Sequence, residues 1–348
     1  MKGRVIVLDH LGERPAAALL VDGVLQDVAI EPPESAPPLP GAIFRAVADR
    51  PMKGQGGGIV KLDGFNGFLR GGGKPPVPGK PLLVQVTGVA EPGKAIPVTA
   101  RVLFKSRYCI ITPGAPGVNV AKSLTDEAVR HDLKTLAEEM LGGLGYGVIV
   151  RSAAAEADVD EVGEDLRDQI ALADAVVQDG SHGAPALLLD APDPHHLAWR
   201  DWGDPTPDQI ITEAGGFADH GILEALDGLR GAGSPLASGA RLFVEPTRAL
   251  VAVDVNTGAD TSPAAGLKAN ISAARALPRL LRLKGLGGQI VIDFAPMPKK
   301  DRKQLEQVLR AALRADSVET SLVGWTPMGH FELQRKRDRL PLSAQDLP

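Results

Sequence analysis

Residues 241–256 ("RLFVEPTRALVAVDVN"), 264–288 ("AAGLKANISAARALPRLLRLKGLGG") and 289–294 ("QIVIDF") constrain the fold more than any other part of the chain. They read as two short strands around a Pro-Thr turn, then a helix, then a strand. A strand, crossover helix and strand normally give neighbouring parallel strands joined with a right-handed connection. Alternation puts Val251, Val253 and Val255 on one face and Ala252, Asp254 and Asn256 on the other. In the second strand Ile290, Ile292 and Phe294 oppose Val291, Asp293 and Ala295. Asp254 and Asp293 each lie near the carboxyl end of a strand, the edge at which open α/β sheets bind ligands. Two acids are therefore expected to converge at one sheet edge. A hard cation such as Mg²⁺ is held by one or two carboxylates while keeping waters and taking phosphate oxygens, and it can polarise a phosphodiester and activate water. Asn256 suits a supporting role, its amide N–H fixing an Asp254 oxygen or a phosphate oxygen. Single aspartates at strand ends also commonly cap the following turn, and spacing alone leaves both readings open.

Elsewhere, "RVIVLD" and "AALLVDGVLQDVAI" read as a hairpin, closed near residue 40 by the proline-rich "EPPESAPPLPG". Residues 41–104 hold short β-like runs cut by Gly and Pro clusters, a spacing that suits a small barrel of the OB type. A helix is expected to start at Thr125 or Asp126 and to close at Gly142 and Gly143. A second, in "VGEDLRDQIALADAVVQDG", turns Leu166, Ile170, Leu172, Ala173 and Val176 or Val177 inward. "PALLLDA" and "DQIITEA" read as strands. Pro278 falls inside the crossover helix, where it costs ~3 kcal/mol or forces a kink.

Net charge is −5, but residues 275–348 carry 14 Lys and Arg against 8 Asp and Glu, a net +6 that leaves −11 for residues 1–274. That asymmetry suggests an anionic partner at the C-terminal part, with a solvated helix face as the bland alternative. Cys109 is the only cysteine, so an internal disulfide and a Cys-pair zinc site are excluded and a buried spectator thiol is expected. Asp9, Glu13 and Arg14 stand where a signal peptide needs an apolar run, and no stretch reaches ~18 apolar residues, so a cytoplasmic protein without a membrane segment is expected.

"ALVAVDVNTG", Asn270 within "KANISAARALPRLLRLKGLGGQIVIDF", and "MGHFELQRKRDRLPL" together resemble the catalytic region of the ribonuclease E/G family of single-strand-specific bacterial endoribonucleases. The resemblance implies an α+β or α/β fold of several subdomains. These are a discontinuous ribonuclease H-like unit (1–40 and 186–218), a reduced OB-fold that binds RNA (41–104), a 5′-sensor-like unit (105–185) and a deoxyribonuclease I-like catalytic unit (219–348). It makes Asp254 and Asp293 the metal-binding aspartates and Asn256 the asparagine that supports them. Arg151 and Ser152 of "YGVIVRSA" match the pair that binds a 5′-monophosphate, a surface ion pair being the alternative for Arg151. Phe68 of "NGFLRG" matches an aromatic that stacks on a base, with a core phenylalanine as the other reading. Lys122 stands where the family often shows paired arginines. Arg335, Lys336 and Arg337 are expected to hold flanking phosphates, or else to be a solvated helix end.

Some positions depart from the family. "DFAPM" carries Pro296 where an acidic residue is common, Ile59 replaces the other usual OB aromatic, and "RGAGSP" is a much shortened link. "RLPLSAQDLP" ends without the paired cysteines that join subunits through zinc, so a monomer or homodimer is expected and not a zinc-linked tetramer. The implied activity is hydrolysis of single-stranded RNA with Mg²⁺, or Mn²⁺ as substitute, leaving 5′-phosphate and 3′-hydroxyl ends in RNA processing or decay. The competing readings are an RNA-binding protein that has lost cleavage and a metal-dependent phosphodiesterase on a small nucleotide.

Overall fold

Alternating burial along two strands builds the sheet that carries both aspartates. The computed structural model describes all residues except 1, 53, 55, 71–76, 237, 238, 344, 345 and 348. Its six-stranded C-terminal sheet runs Gly233–Pro235, Arg241–Pro246, Val251–Asn256, Gly288–Asp293, Phe331–Arg335, Thr320–Trp325. Val251–Asn256 and Gly288–Asp293 are parallel, as a crossover connection requires, and the other neighbours are antiparallel. Val251, Val253, Val255, Ile290 and Ile292 are buried in one core with Ala269, Ala273, Leu277 and Leu281 of the helix Ala265–Leu283 and with Leu305, Leu309 and Leu313 of the helix Arg302–Arg314. Each such side chain contributes roughly 1.5–3 kcal/mol by leaving water. The alternate residues Asp254, Asn256 and Asp293 are exposed on the opposite face. The crossover helix continues through Pro278. Pro278 is buried in the face that also buries Leu277 and Leu281, so packing holds the helix together across the missing N–H.

Two units divide the chain: residues 1–3, 7–32 and 211–348 form one, and residues 4–6 and 33–210 form the other. The first unit joins the strands Arg14–Val21 and Val24–Ile30, paired with Ala16 opposite Ile30, to the C-terminal sheet and helices. A buried ionic network crosses it. Asp27, on the strand Val24–Ile30, accepts from Arg339 at 2.6 Å and lies 3.4 Å from Arg282 of the crossover helix. Arg282 also pairs with Asp316, which accepts from Arg335 at 2.6 Å. Arg282 donates further to the Gln26 carbonyl at 2.7 Å and Arg279 to that of Leu25 at 2.5 Å.

In the second unit Ile43–Met52, Gly57–Lys61, Asn66–Arg70, Ile96–Thr99 and Pro81–Val86 close a five-stranded barrel, the last strand pairing back to the first. Asn66–Arg70 and Ile96–Thr99 are its parallel pair. Phe44, Val60, Leu69, Val84, Ile96 and Val98 fill the interior. Beyond it lies a four-stranded sheet in the order Gly117–Val120, Gly147–Val150, Cys109–Thr112, Phe104–Lys105. The helices Glu127–Leu141 and Val159–Asp179 share a core with it. Asp126 caps the first helix by accepting from the Ala128 and Val129 N–H groups, and Gly142 ends it in the left-handed conformation. Leu166, Ile170, Ala173 and Val176 are the buried face of the second, with Leu172 and Val177 at its margin. Cys109 is fully buried, and burial pushes its thiol far above the ordinary range, which suits a spectator. Among the described residues no helix is long and apolar enough to cross a membrane.

Removing one carboxylate from the buried network strands two arginines in the first unit. Asp316→Ala is expected to cost about 3–5 kcal/mol, read as a lowered urea midpoint. A loss under ~1 kcal/mol, the worth of an exposed pair, would place the network outside the interactions that hold this unit.

Candidate active site

Asp254 and Asp293 stand directly opposite each other across the parallel pair, in the register that also sets Val253 against Ile292. Adjacent strands lie ~4.8 Å apart, so the two carboxylates share one exposed patch, and like charges directly opposite disfavour the pairing unless a cation lies between them. Asp254 has no hydrogen-bond or ion-pair partner among the described residues, which leaves its oxygens available as ligands. Asp293 Oδ1 lies 4.0 Å from His330 Nε2. Glu245, Ala252, Val291 and His330 join the two aspartates around a shallow pocket of about 240 Å³ on the open face. Among the described residues no three His, Cys, Asp or Glu side chains gather as a closed metal cage. Two carboxylates facing solvent fit Mg²⁺, which keeps water and takes substrate oxygens to complete its shell.

Asn256 follows on the same face, and its Oδ1 accepts the Gly258 N–H at 2.8 Å. That turn is closely built: a Cβ on Gly258, at φ +65°, would meet the Gly239 carbonyl at 2.4 Å. No hydrogen bond joins Asn256 to Asp254 among the described residues; of the two roles expected for its amide, the structure shows no contact to Asp254, and the Asn256 carbonyl oxygen closes the turn to Gly258 instead.

The exit of the Asp293 strand is fixed from below by Asn270. Fully buried on the crossover helix, Asn270 donates to the Ala295 carbonyl at 2.8 Å and accepts the Ala295 N–H at 2.9 Å. Gly266, earlier on the same helix, lets the backbone pass close, since a Cβ there would meet the Pro296 carbonyl at 2.0 Å. Beside Asp293, Phe294, Trp325 and Phe331 pack with ring centroids 5.1–6.3 Å apart, and Arg302 stacks 4.0 Å over Trp325. His330 was invisible as a site residue in the sequence. It lies in the turn entering a strand antiparallel to the Asp293 strand, and only that pairing carries it to Asp293. Lys299 and Lys300, exposed in a short turn after Asp293, were likewise missed. "PKKD" so soon after "DFAPM" is the signal that could have found them.

The other expected residues are scattered. Arg335 is corrected from an RNA contact to a core residue: its side chain is 1% exposed and is held by Asp316 and Thr320. "FELQR" is a strand rather than a helix end, with Lys336 and Arg337 just beyond it; Arg335 pairs with Gly288, whereas Phe331 pairs with Ile292 beside Asp293. At ~3.4 Å per residue, Arg335 and the residues after it sit at the far end of the sheet from the aspartates. Arg337 lies over Gly288, where a Cβ would touch its guanidinium, and Lys336 is exposed. Phe68 is on the outer side of the barrel, between the buried Gly67 and Leu69, with its ring over Gly57. It is half-buried and lies outside the cluster that fills the barrel interior. Lys122 is exposed just past Gly117–Val120. Arg151 and Ser152 do not present free donors: Arg151 pairs with Asp201 at 3.1 Å and donates to the Ser106 and Arg200 carbonyls, while Ser152 hydrogen-bonds Asp204.

Comparison with known proteins accounts for the segment that carries both aspartates. The Ribonuclease E/G family profile matches residues 104–216 and 213–338. Ribonuclease E of Nostoc sp. is 29% identical over 298 residues, covering 75% of this chain and 43% of that protein. Ribonuclease E of Synechocystis sp. is 30% identical over 298 residues, with 75% and 44% covered. Ribonuclease G of Salmonella typhimurium is 28% identical over 301 residues, with 75% and 60% covered. The match thus spans roughly half the length of these relatives. With most of both units inside the matched segments, the chain belongs to the ribonuclease E/G family.

Proposed function

We propose that the chain is an endoribonuclease that hydrolyses single-stranded RNA at Asp254 and Asp293. One observation carries the reading: two carboxylates in register on the uncovered face of a sheet, inside the segment that matches the family profile. An RNA-binding protein without cleavage has no need to place two like charges side by side. A magnesium ion held by the two carboxylates, with manganese as its substitute, supplies the charge that polarises a phosphodiester and makes hydroxide accessible near neutral pH. Water then attacks phosphorus in line, the bond to the 3′-oxygen breaks, and that oxygen leaves as a hydroxyl while the phosphate stays on the 5′ side.

This chain's own residues bind and orient. Asp254 and Asp293 hold the cation on strands whose other face is core, so the ligand positions are rigid. The amide of Asn256 donates to a phosphate oxygen. His330 steadies Asp293 from the side. Lys299 and Lys300 neutralise the neighbouring backbone phosphates, and Phe68 offers a ring for base stacking on the barrel. The subdomain assignments implied by the resemblance, ribonuclease H-like for the N-terminal strands and deoxyribonuclease I-like for the catalytic sheet, belong to this proposal. A monomer or homodimer goes with it.

Asp254→Asn keeps shape and removes one charge from the cation's shell. Single-turnover cleavage of a defined oligoribonucleotide is expected to fall by several orders of magnitude while RNA binding survives. Mg²⁺ should also raise the melting temperature of the unmodified protein and not that of Asp254→Asn, through the ~2.7 kcal/mol that a ligand at a hundredfold its Kd contributes. An unaltered cleavage rate in Asp254→Asn at saturating Mg²⁺ would return Asp254 to a turn-capping role.

Asn270→Ala orphans the Ala295 N–H and carbonyl, at a cost of ~1–3 kcal/mol in chemical denaturation. Because Ala295 sets the exit of the Asp293 strand, cleavage is expected to fall more than RNA binding in anisotropy. Equal loss of both would make Asn270 a general packing residue.

A further inference from the structure

The outermost strand of the C-terminal sheet, Thr320–Trp325, pairs on one side with Phe331–Arg335, and among the described residues no strand pairs with its other side. The helix Arg302–Arg314 runs antiparallel along it on the core face. Arg302 stacks 4.0 Å over Trp325, and Glu306 accepts from the Trp325 indole N–H at 2.6 Å, so the start of the helix is fastened to the end of the strand. Toward the other end a groove opens between them. Arg310, Leu313 and Arg314 of the helix and Thr320, Ser321 and Leu322 of the strand line this space of about 410 Å³. Leu313 is buried in the core and Leu322 packs against it, which gives the groove an apolar floor.

Arg310 and Arg314 are exposed, four residues apart on one face of the helix, and neither has a hydrogen-bond or ion-pair partner among the described residues. Like charges at that spacing repel and destabilise the helix. The neighbouring acids are engaged or turned away. Glu306 holds Trp325, Asp316 is taken by Arg282 and Arg335, and Glu319 falls by alternation on the strand face opposite Thr320 and Leu322. The exposed edge adds a second requirement, because main-chain N–H and C=O groups that face no strand are a template for another extended chain. A register shift between Leu322 and Gly324 loops out Val323, which is 64% exposed, and ends the regular run at Leu322. Such a bulge guards an edge against long pairings and leaves room for a short segment.

We infer that this groove binds a short acidic peptide segment in extended conformation, added to the sheet as a strand beside Thr320–Leu322 with its carboxylates on Arg310 and Arg314. Main-chain hydrogen bonds from the edge give affinity, and the two guanidinium forks select acidic side chains at alternate positions. An RNA strand offers phosphates to the arginines but no row of N–H and C=O groups to the edge, so a peptide satisfies both halves of the surface. Thr320 pairs with Arg335 at the end of the sheet away from Asp293, so an occupied groove leaves the two aspartates open.

A fluorescein-labelled seven-residue peptide of alternating Glu and Val is titrated into the full chain by anisotropy, beside a counterpart with Lys in place of Glu. The acidic peptide should bind and the basic one should not; no binding of the acidic peptide overturns the site. Arg310→Glu combined with Arg314→Glu should weaken binding by roughly 10–100-fold, the range for hydrogen bonds to charged groups, while the melting temperature stays that of the unmodified chain. Should the charge reversal unfold the chain, Arg310→Gln with Arg314→Gln carries the same expectation. Binding that survives the loss of both arginines overturns the groove. Two further acidic peptides, N-methylated at alternate positions in one register or the other, separate strand addition from charge alone. One should bind like the parent and the other should fail, and hydrogen exchange should show residues 320–322 protected by the parent peptide. Equal binding of the two methylated peptides, or no protection of the edge, overturns strand addition. If an oligouridylate of equal charge, without divalent cation, displaces the peptide at the same concentration and depends equally on both arginines, the surface is a polyanion site and the peptide assignment falls.

Discussion

The first unit depends on the buried chain of charges from Asp27 through Arg282 and Asp316 to Arg335. It links a strand near the N-terminus, the crossover helix, the loop after the second helix and a strand of the C-terminal sheet. Taking these groups out of water costs several kcal/mol per ion, and the geometry repays it only while every partner is present. Hydrophobic contact is non-directional, whereas an arginine shared by two carboxylates accepts one arrangement. The network therefore fixes where the N-terminal strands sit against the crossover helix of the same unit, and it keeps that helix in the register from which Asn270 reaches Ala295.

From that fixed helix the site follows by alternation. One side of the sheet is apolar and covered by two helices. The other side has no helical layer among the described residues of the unit, and every second residue of the two central strands faces it. Acidic side chains on that side cost nothing in desolvation and gain rigidity from the packed face beneath them. Their mutual repulsion is the residual penalty, and it is the one a divalent cation relieves. Phe294, Trp325 and Phe331 pack on the core face, behind the strand that carries Asp293, and Arg302 stacks over Trp325.

Charge in this chain is spent in two different ways. The +6 of residues 275–348 looks like an electrostatic surface, yet Arg282, Arg335 and Arg339 hold the unit together and Arg302 stacks on an aromatic ring. Lys299 and Lys300, in the turn that follows the Asp293 strand, stay exposed. In the second unit Lys105, Arg151 and Arg200 gather on Asp201 of the same chain. A net charge over a segment records neither partner nor depth, so it overstated the free positive surface in the first unit and hid the cluster of cations around Asp201 in the second.

Much of the local structure was written in the sequence. Two-residue alternation set which faces of 251–256 and 288–293 are core, the crossover helix made the strands parallel, and Asp126 and Gly142 bounded a helix, because each depends on neighbours in the chain. The helix Arg302–Arg314 and the strand Thr320–Trp325 were not legible: the first buries only a narrow Leu305, Leu309 and Leu313 stripe, and the second has no fully buried residue. Tertiary structure alone decided that Asp254 and Asp293 share one register, that His330 arrives beside them, that Arg335 turns into the core, and that Asp201 lies on Arg151. Each of those is a pairing between segments far apart in the chain, governed by strand register and by the cost of burying an unpaired charge, and no local pattern in the sequence encodes it.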